Sequence, residues 1–178
     1  MLNPWLRAAN PFNTPRAIAE AQRAARAATF ALVASGVVSL ITSGLMALHP
    51  EWMTMIMNNQ YVRMELPAEQ VEMQRAMMSS IMPTMMVVGM LVGVAICLVL
   101  AWAQWKYMTR AIPIIMLALL AYSALMGVIG VSTGQYAGLG PVYGVMSGAS
   151  WVVQCACAML YVAAMRGAFV LHRLKREP

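Results

Sequence analysis

Residues 81–105 read IMPTMMVVGMLVGVAICLVLAWAQW, without one charged side chain. At ~1.5 Å of rise per residue, such a helix exceeds the ~30 Å hydrocarbon layer of a bilayer. A surface helix of a soluble protein would carry a polar face, and this stretch has none. The pattern repeats on both sides of it: residues 27–48, 112–133 and 143–165 are also free of Asp, Glu, Lys, Arg and His. The fold class predicted from these four runs is all-α, an integral membrane four-helix bundle in one domain.

Composition agrees with that reading. The 178 residues are 61% hydrophobic and 10% charged, where a soluble domain carries about 25% charged residues. Lys and Arg number 12 against 6 acids, giving +6. The basic residues flank the apolar runs, which points to membrane topology and away from nucleic acid. All three Cys (97, 155, 157) lie inside apolar runs, so no secreted disulfide framework is expected. The first apolar run begins far from Met1, so the first span is expected to remain uncleaved.

The segments outside the spans have their own signals. Asn3-Pro4-Trp5 and Asn10-Pro11-Phe12 suggest an irregular arm whose Trp5 and Phe12 anchor at headgroup level. Thr14 and Pro15 then predict the start of a basic amphipathic helix up to residue 26, resting on the cytoplasmic leaflet. In the link 49–80, start signals at Pro50 and at Leu66-Pro67 predict two short helices on the outer surface. Pro83, Pro113 and Pro141 each fall near the start of a span, where a missing N–H is tolerated. Gly134, Gly138 and Gly140 predict a tight turn between the last two spans.

Charge counting gives orientation. Arg7, Arg16, Arg23, Arg26, Lys106, Arg110, Arg166, Arg173, Lys175 and Arg176 fall on one side. Arg63 and Arg75 fall on the other, among Glu51, Glu65, Glu69 and Glu72. The positive-inside rule then places both termini in the cytoplasm; the bias to Arg over Lys and the abundant Ala suggest a GC-rich bacterial genome, hence a bacterial inner membrane. The link 49–80 faces outward, and 166–178 is a basic cytoplasmic tail.

Helices in lipid associate through small residues that let backbones approach. Ser35, Ser39 and Ser43 supply such a strip on the first span, Gly89 and Gly93 on the second, Ser123 and Gly127 on the third, Gly144 and Gly148 on the fourth. These strips serve either packing within the chain or self-association. Gln154 is expected to hydrogen-bond to a neighbouring helix or to line a polar path, and Gln104 to reach water near the end of its span.

The spans hold no ionisable side chain, which argues against proton relays, ion-coupled carriers and voltage sensors. No acid–base pair or nucleophile set is visible, and the outer Glu residues fit the wet face of a surface helix. Methionine is the compositional anomaly: there are 19, concentrated in the outer link and the second span. Met78, Met82, Met86 and Met90 recur every four residues. Thioether sulfur is a soft ligand suited to Cu(I), and His49 lies close in sequence to the Met-rich link. The stripe followed by Gly89-x-x-x-Gly93 resembles motifs of trimeric copper transporters of the Ctr type. That resemblance covers barely twenty residues, and no residue role is taken from it.

Two functions follow. The first is a small scaffold or accessory subunit of a larger membrane complex, with the lipid bilayer and another membrane protein as partners and no cofactor. The alternative is a Cu(I)-handling protein using Met78, Met82, Met86, Met90 and His49. Met is also an adaptable packer, which serves the first function equally well.

Overall fold

A computed structural model of the chain describes residues 4–64 and 67–175. The side chains of Leu6, Ala68, Met78, Ser79, Met82 and Pro83 are not included in that description. Glu65, Leu66 and Arg176, used above for topology and helix starts, also lie outside it.

Every regular element among the described residues is an α-helix: α1 (Pro4–Ala9), α2 (Ile18–Leu48), α3 (Pro50–Met64), α4 (Ala68–Tyr107), α5 (Ala111–Ser132) and α6 (Gly140–Leu174). Four helices have segments long and apolar enough to cross a membrane: Ile18–Leu48, Thr84–Tyr107, Ala111–Ser132 and Gly140–Leu174.

Three expectations about helix boundaries are corrected. The arm is not wholly irregular, because Pro4 opens the short helix α1, the position where proline's fixed φ suits a helix. No separate amphipathic helix precedes the first span. Residues 18–26 are the first turns of α2, since Ala-rich sequence with no Gly or Pro gives the helix no place to stop. Likewise the second short helix of the link is the beginning of the 40-residue α4. Pro83 therefore sits inside a helix, and α4 continues past it with one backbone hydrogen bond fewer.

α2 is the hub. It packs against α6 and α4, while α5 packs against α6. The contacts between α2 and α6 are antiparallel: Gly167 meets Ala21, Ala24 and Ala25, and Cys157 Sγ lies 3.6 Å from the Ala31 carbonyl oxygen. Those between α2 and α4 are also antiparallel. Gln104 Nε2 donates to the Ala25 carbonyl at 2.8 Å, and Gly36 approaches Cys97.

The main core follows from these pairings. Ala27, Ala28, Ala31 and Leu32 of α2 meet Ala101 of α4 and Cys157, Tyr161 and Ala164 of α6. Small side chains let the three backbones come close, so the interface is tight without large residues. Tyr161 is the exception in size and is fully buried.

One end of the molecule gathers the basic segments. Arg26 lies over the Trp105 ring at 4.8 Å, and Arg110 over Phe169 at 5.0 Å. Arg166 donates to the Pro11 carbonyl and to Thr14 Oγ1 at 3.0 Å. The arm, the start of α2, the α4–α5 turn and the end of α6 thus share one end. That turn relies on Met108, whose φ of 50° is left-handed without being glycine.

At the other end, Trp52, Ile56 and Leu139 form a smaller cluster with Leu45, Tyr136 and Tyr143 among its neighbours. Asn59 Nδ2 donates to the Gln135 and Ala137 carbonyls, both at 3.0 Å, tying α3 to the α5–α6 turn. Gly134, Gly138 and Gly140 all have positive φ there, a conformation that costs an L side chain roughly 1–2 kcal/mol.

Candidate functional site

Two adjoining cavities of about 440 and 310 Å³ lie between α2, α5 and α6. They share Thr42, Ser123, Ser150 and Gln154 as walls. Ser35 and Ser39 extend the hydroxyl lining in one direction, and Ser147, Tyr136 and Tyr143 in the other. Among the described residues, none that lines either cavity is charged. The cleft exists because the helices bring hydroxyl-bearing faces together without filling the space between them.

The hydrogen bonds in the cleft are unevenly used. Thr42 Oγ1 donates to the Val38 carbonyl at 2.8 Å, the usual way a hydroxyl is satisfied inside a helix. Thr54, Ser80, Ser132 and Thr133 also bond to carbonyls of their own helices. Ser35 is engaged between α2 and α6, with its oxygen 3.5 Å from the Tyr161 hydroxyl and 3.7 Å from Cys157 Sγ. Among the described residues, Gln154 Nε2 reaches only Ser150 Oγ, on its own helix, at 3.4 Å. Ser39, Ser123 and Ser147 face the cavities, and their hydroxyls have no hydrogen-bond partner among the described residues. The cleft therefore offers uncharged donors and acceptors to whatever enters it.

The remaining small residues divide into two groups. Gly127 is needed where it is: a Cβ there would come within 2.6 Å of the Trp151 ring. Gly89, Gly93, Gly144 and Gly148 have open space where a Cβ would sit. Among the described residues, then, these four bring no neighbouring helix close. Ser43 is half-buried on α2.

The methionines and histidine of the copper reading occupy separate settings. Met78 and Met82 belong to α4, but their side chains lie outside the described residues. Met86 and Met90 are half-buried on α4. His49 follows the end of α2, with Nδ1 2.7 Å from Glu51 Oε1 and its ring stacked 4.3 Å from that of Trp52. The Glu51 carboxyl is held below its ordinary pKa by hydrogen bonds from its own backbone N–H and then from His49. Among the described residues, no group of three His, Cys, Asp or Glu side chains comes together to hold a metal.

Of the two glutamines, Gln104 departs from its expected setting. Gln104 does not reach water: it is fully buried, accepting from Thr109 Oγ1 at 3.2 Å while donating to α2. Its position near the end of α4 suggested access to solvent, but its side chain points at α2. Gln154 bonds within its own helix and lines the cleft, without a described bond to a neighbouring helix. Ala21, Ala24 and Ala25, within the stretch expected to rest on the leaflet, instead pack against Gly167 of α6. Comparison of the chain with protein-family models, with curated proteins and with solved structures returns no match.

Proposed function

We propose that this chain is a four-span membrane protein acting as a scaffold or accessory subunit, and that its partner is a helix of another membrane protein. The four long helices form a bundle across the bilayer. The basic end faces the cytoplasm with both termini, and α3 and the α5–α6 turn face outward. This orientation rests on the clustering of basic residues at one end.

The observation that carries the function is the set of unused hydroxyls in the cleft. Ser39, Ser123 and Ser147 line the two adjoining cavities, where among the described residues no charged side chain is present and their hydroxyls have no hydrogen-bond partner. In lipid, Ser, Thr and Gln side chains hydrogen-bond across helices, each bond contributing about 0.6–1.7 kcal/mol. A partner helix with polar side chains would use them. The open glycines on α4 and α6 offer further places for close helix approach.

Purification from native membranes in mild detergent tests this directly. The expected product is a reproducible complex with a second membrane protein. In the S39A/S123A/S147A variant that complex should dissociate more readily, with helix content unchanged by circular dichroism. Recovery of the wild type as a lone monomer, under conditions that preserve other membrane complexes, contradicts the proposal.

A further inference from the structure

We infer that the folded N-terminal arm forms a binding site for the phosphate of an anionic membrane lipid, held by Arg7, Arg16 and Arg23. The inference rests on the orientation proposed above, but not on any protein partner. Two adjoining cavities, of about 590 and 200 Å³, open between the arm and the start of α2. Arg7, Asn13 and Glu20 line both, with Arg16 in the larger and Arg23 in the smaller. Among the described residues, the guanidinium groups of these three arginines make no ion pair or hydrogen bond. Three like charges around two adjoining cavities exceed the charge of the Glu20 carboxylate beside them and repel one another, and a bound anion would relieve that repulsion.

Glu20 is the acid of the site. Its Oε2 accepts from the backbone N–H of Arg16 at 3.0 Å, so it is engaged at the start of α2. Even counting its full charge, three arginines and one carboxylate leave the site positive. The arm is fixed in place and does not dangle. Asn13 Nδ2 donates to the Arg7 carbonyl at 3.3 Å, Phe12 N–H donates to Asn10 Oδ1 at 2.9 Å, and Arg166 holds Pro11 and Thr14.

The surroundings favour a lipid over a free anion. Trp5 packs edge-on to Phe30 with centroids 5.7 Å apart and stacks on Trp105 at 6.4 Å. Aromatic clusters of this kind sit at the level of lipid headgroups. Phe12 lines the larger cavity and is 84% exposed, an apolar ring beside a cationic site. A lipid presents both features at once, a charged headgroup and an adjacent acyl chain. Free phosphate would use only the arginines.

The test uses the full chain in neutral detergent, titrated with soluble dioctanoyl phosphatidylglycerol, dioctanoyl phosphatidylcholine or inorganic phosphate. Binding is read by melting temperature and by calorimetry. Phosphatidylglycerol is expected to bind saturably and to weaken with added salt. The R7Q/R23Q variant should bind it about tenfold or more less tightly, and R16Q should lose severalfold while leaving the Glu20 bond to its backbone intact. K175Q, which removes a charge outside the cavities, should bind as the wild type does. Equal affinity for phosphatidylcholine overturns the inference. So does equal affinity for inorganic phosphate, which would make the site one for the free anion. An equal loss in K175Q would reduce the effect to diffuse charge and also overturns it. Because these measurements are made on the isolated chain in detergent, they are independent of whether a protein partner is found.

Discussion

Gly167→Ala is expected to destabilise the chain, although alanine is the better helix former. A Cβ at this position would lie 2.6 Å from Ala24 Cβ, 2.6 Å from the Ala25 backbone nitrogen and 2.9 Å from the Ala21 carbonyl oxygen. Two of these are backbone atoms and the third is a Cβ, so none can swing aside as the end of a long side chain would. Relief requires α2 and α6 to move apart over the most tightly packed part of the molecule. Overpacking of this kind costs about 1–3 kcal/mol. The gain in helix propensity is about 1 kcal/mol, so the clash leaves a net cost of up to about 2 kcal/mol. Gly148→Ala on the same helix is the matched control, because a Cβ there meets nothing within 4 Å. That variant should be neutral or slightly stabilised. Unfolding free energies of the two variants, measured in mixed detergent micelles against the wild type, should therefore differ in sign. Equal stability of the two would mean that α2 and α6 do not meet at Gly167.

The second large effect is expected at Gln104. Replacing it with Leu preserves most of its volume but removes the donor to the Ala25 carbonyl and the acceptor for Thr109 Oγ1. The site is fully buried, so water cannot substitute for the lost bonds. Losing a buried hydrogen bond and stranding its partners costs about 1–3 kcal/mol. The same bond also sets how α4 lies on α2, together with Thr29 Oγ1, 3.4 Å from the Ala101 carbonyl oxygen. Loosening should appear as faster hydrogen exchange in the last turns of α4. Gln154→Leu should cost much less, because the only described hydrogen bond it loses is a long one to its own helix. If Gln104→Leu proved as mild as Gln154→Leu, the buried placement of Gln104 would be wrong.

These two residues show what could be read from the sequence and what could not. The four apolar runs, the helix start at Pro50 and the glycine-rich turn at 134–140 were local signals, set by composition or by one residue's backbone preference. The Gly167 contact is not local. It depends on the register between two helices some 140 residues apart in sequence, and nothing near Gly167 distinguishes it from Gly148. Charge also misled: Arg23 and Arg26 made residues 18–26 look like a surface helix, while the alanines between them formed the face buried against α6. At Gln104, depth along the helix was legible, but the direction of the side chain was not. The same holds for the cleft. Ser39 and Ser123 fall in strips of small residues that suit helix packing, and only the arrangement of α2, α5 and α6 shows that they line a space. Ser147 carried no signal of its own.

The central claim is that four apolar helices carry the chain across a bilayer an even number of times, leaving the basic ends together. Epitope tags placed at the N-terminus, within the turn after α5 and at the C-terminus test it, each probed with antibody before and after the membrane that holds the chain is permeabilised. The account predicts that the turn tag is reached before opening and both terminal tags only afterwards. Finding the two terminal tags on opposite sides of the membrane would contradict it.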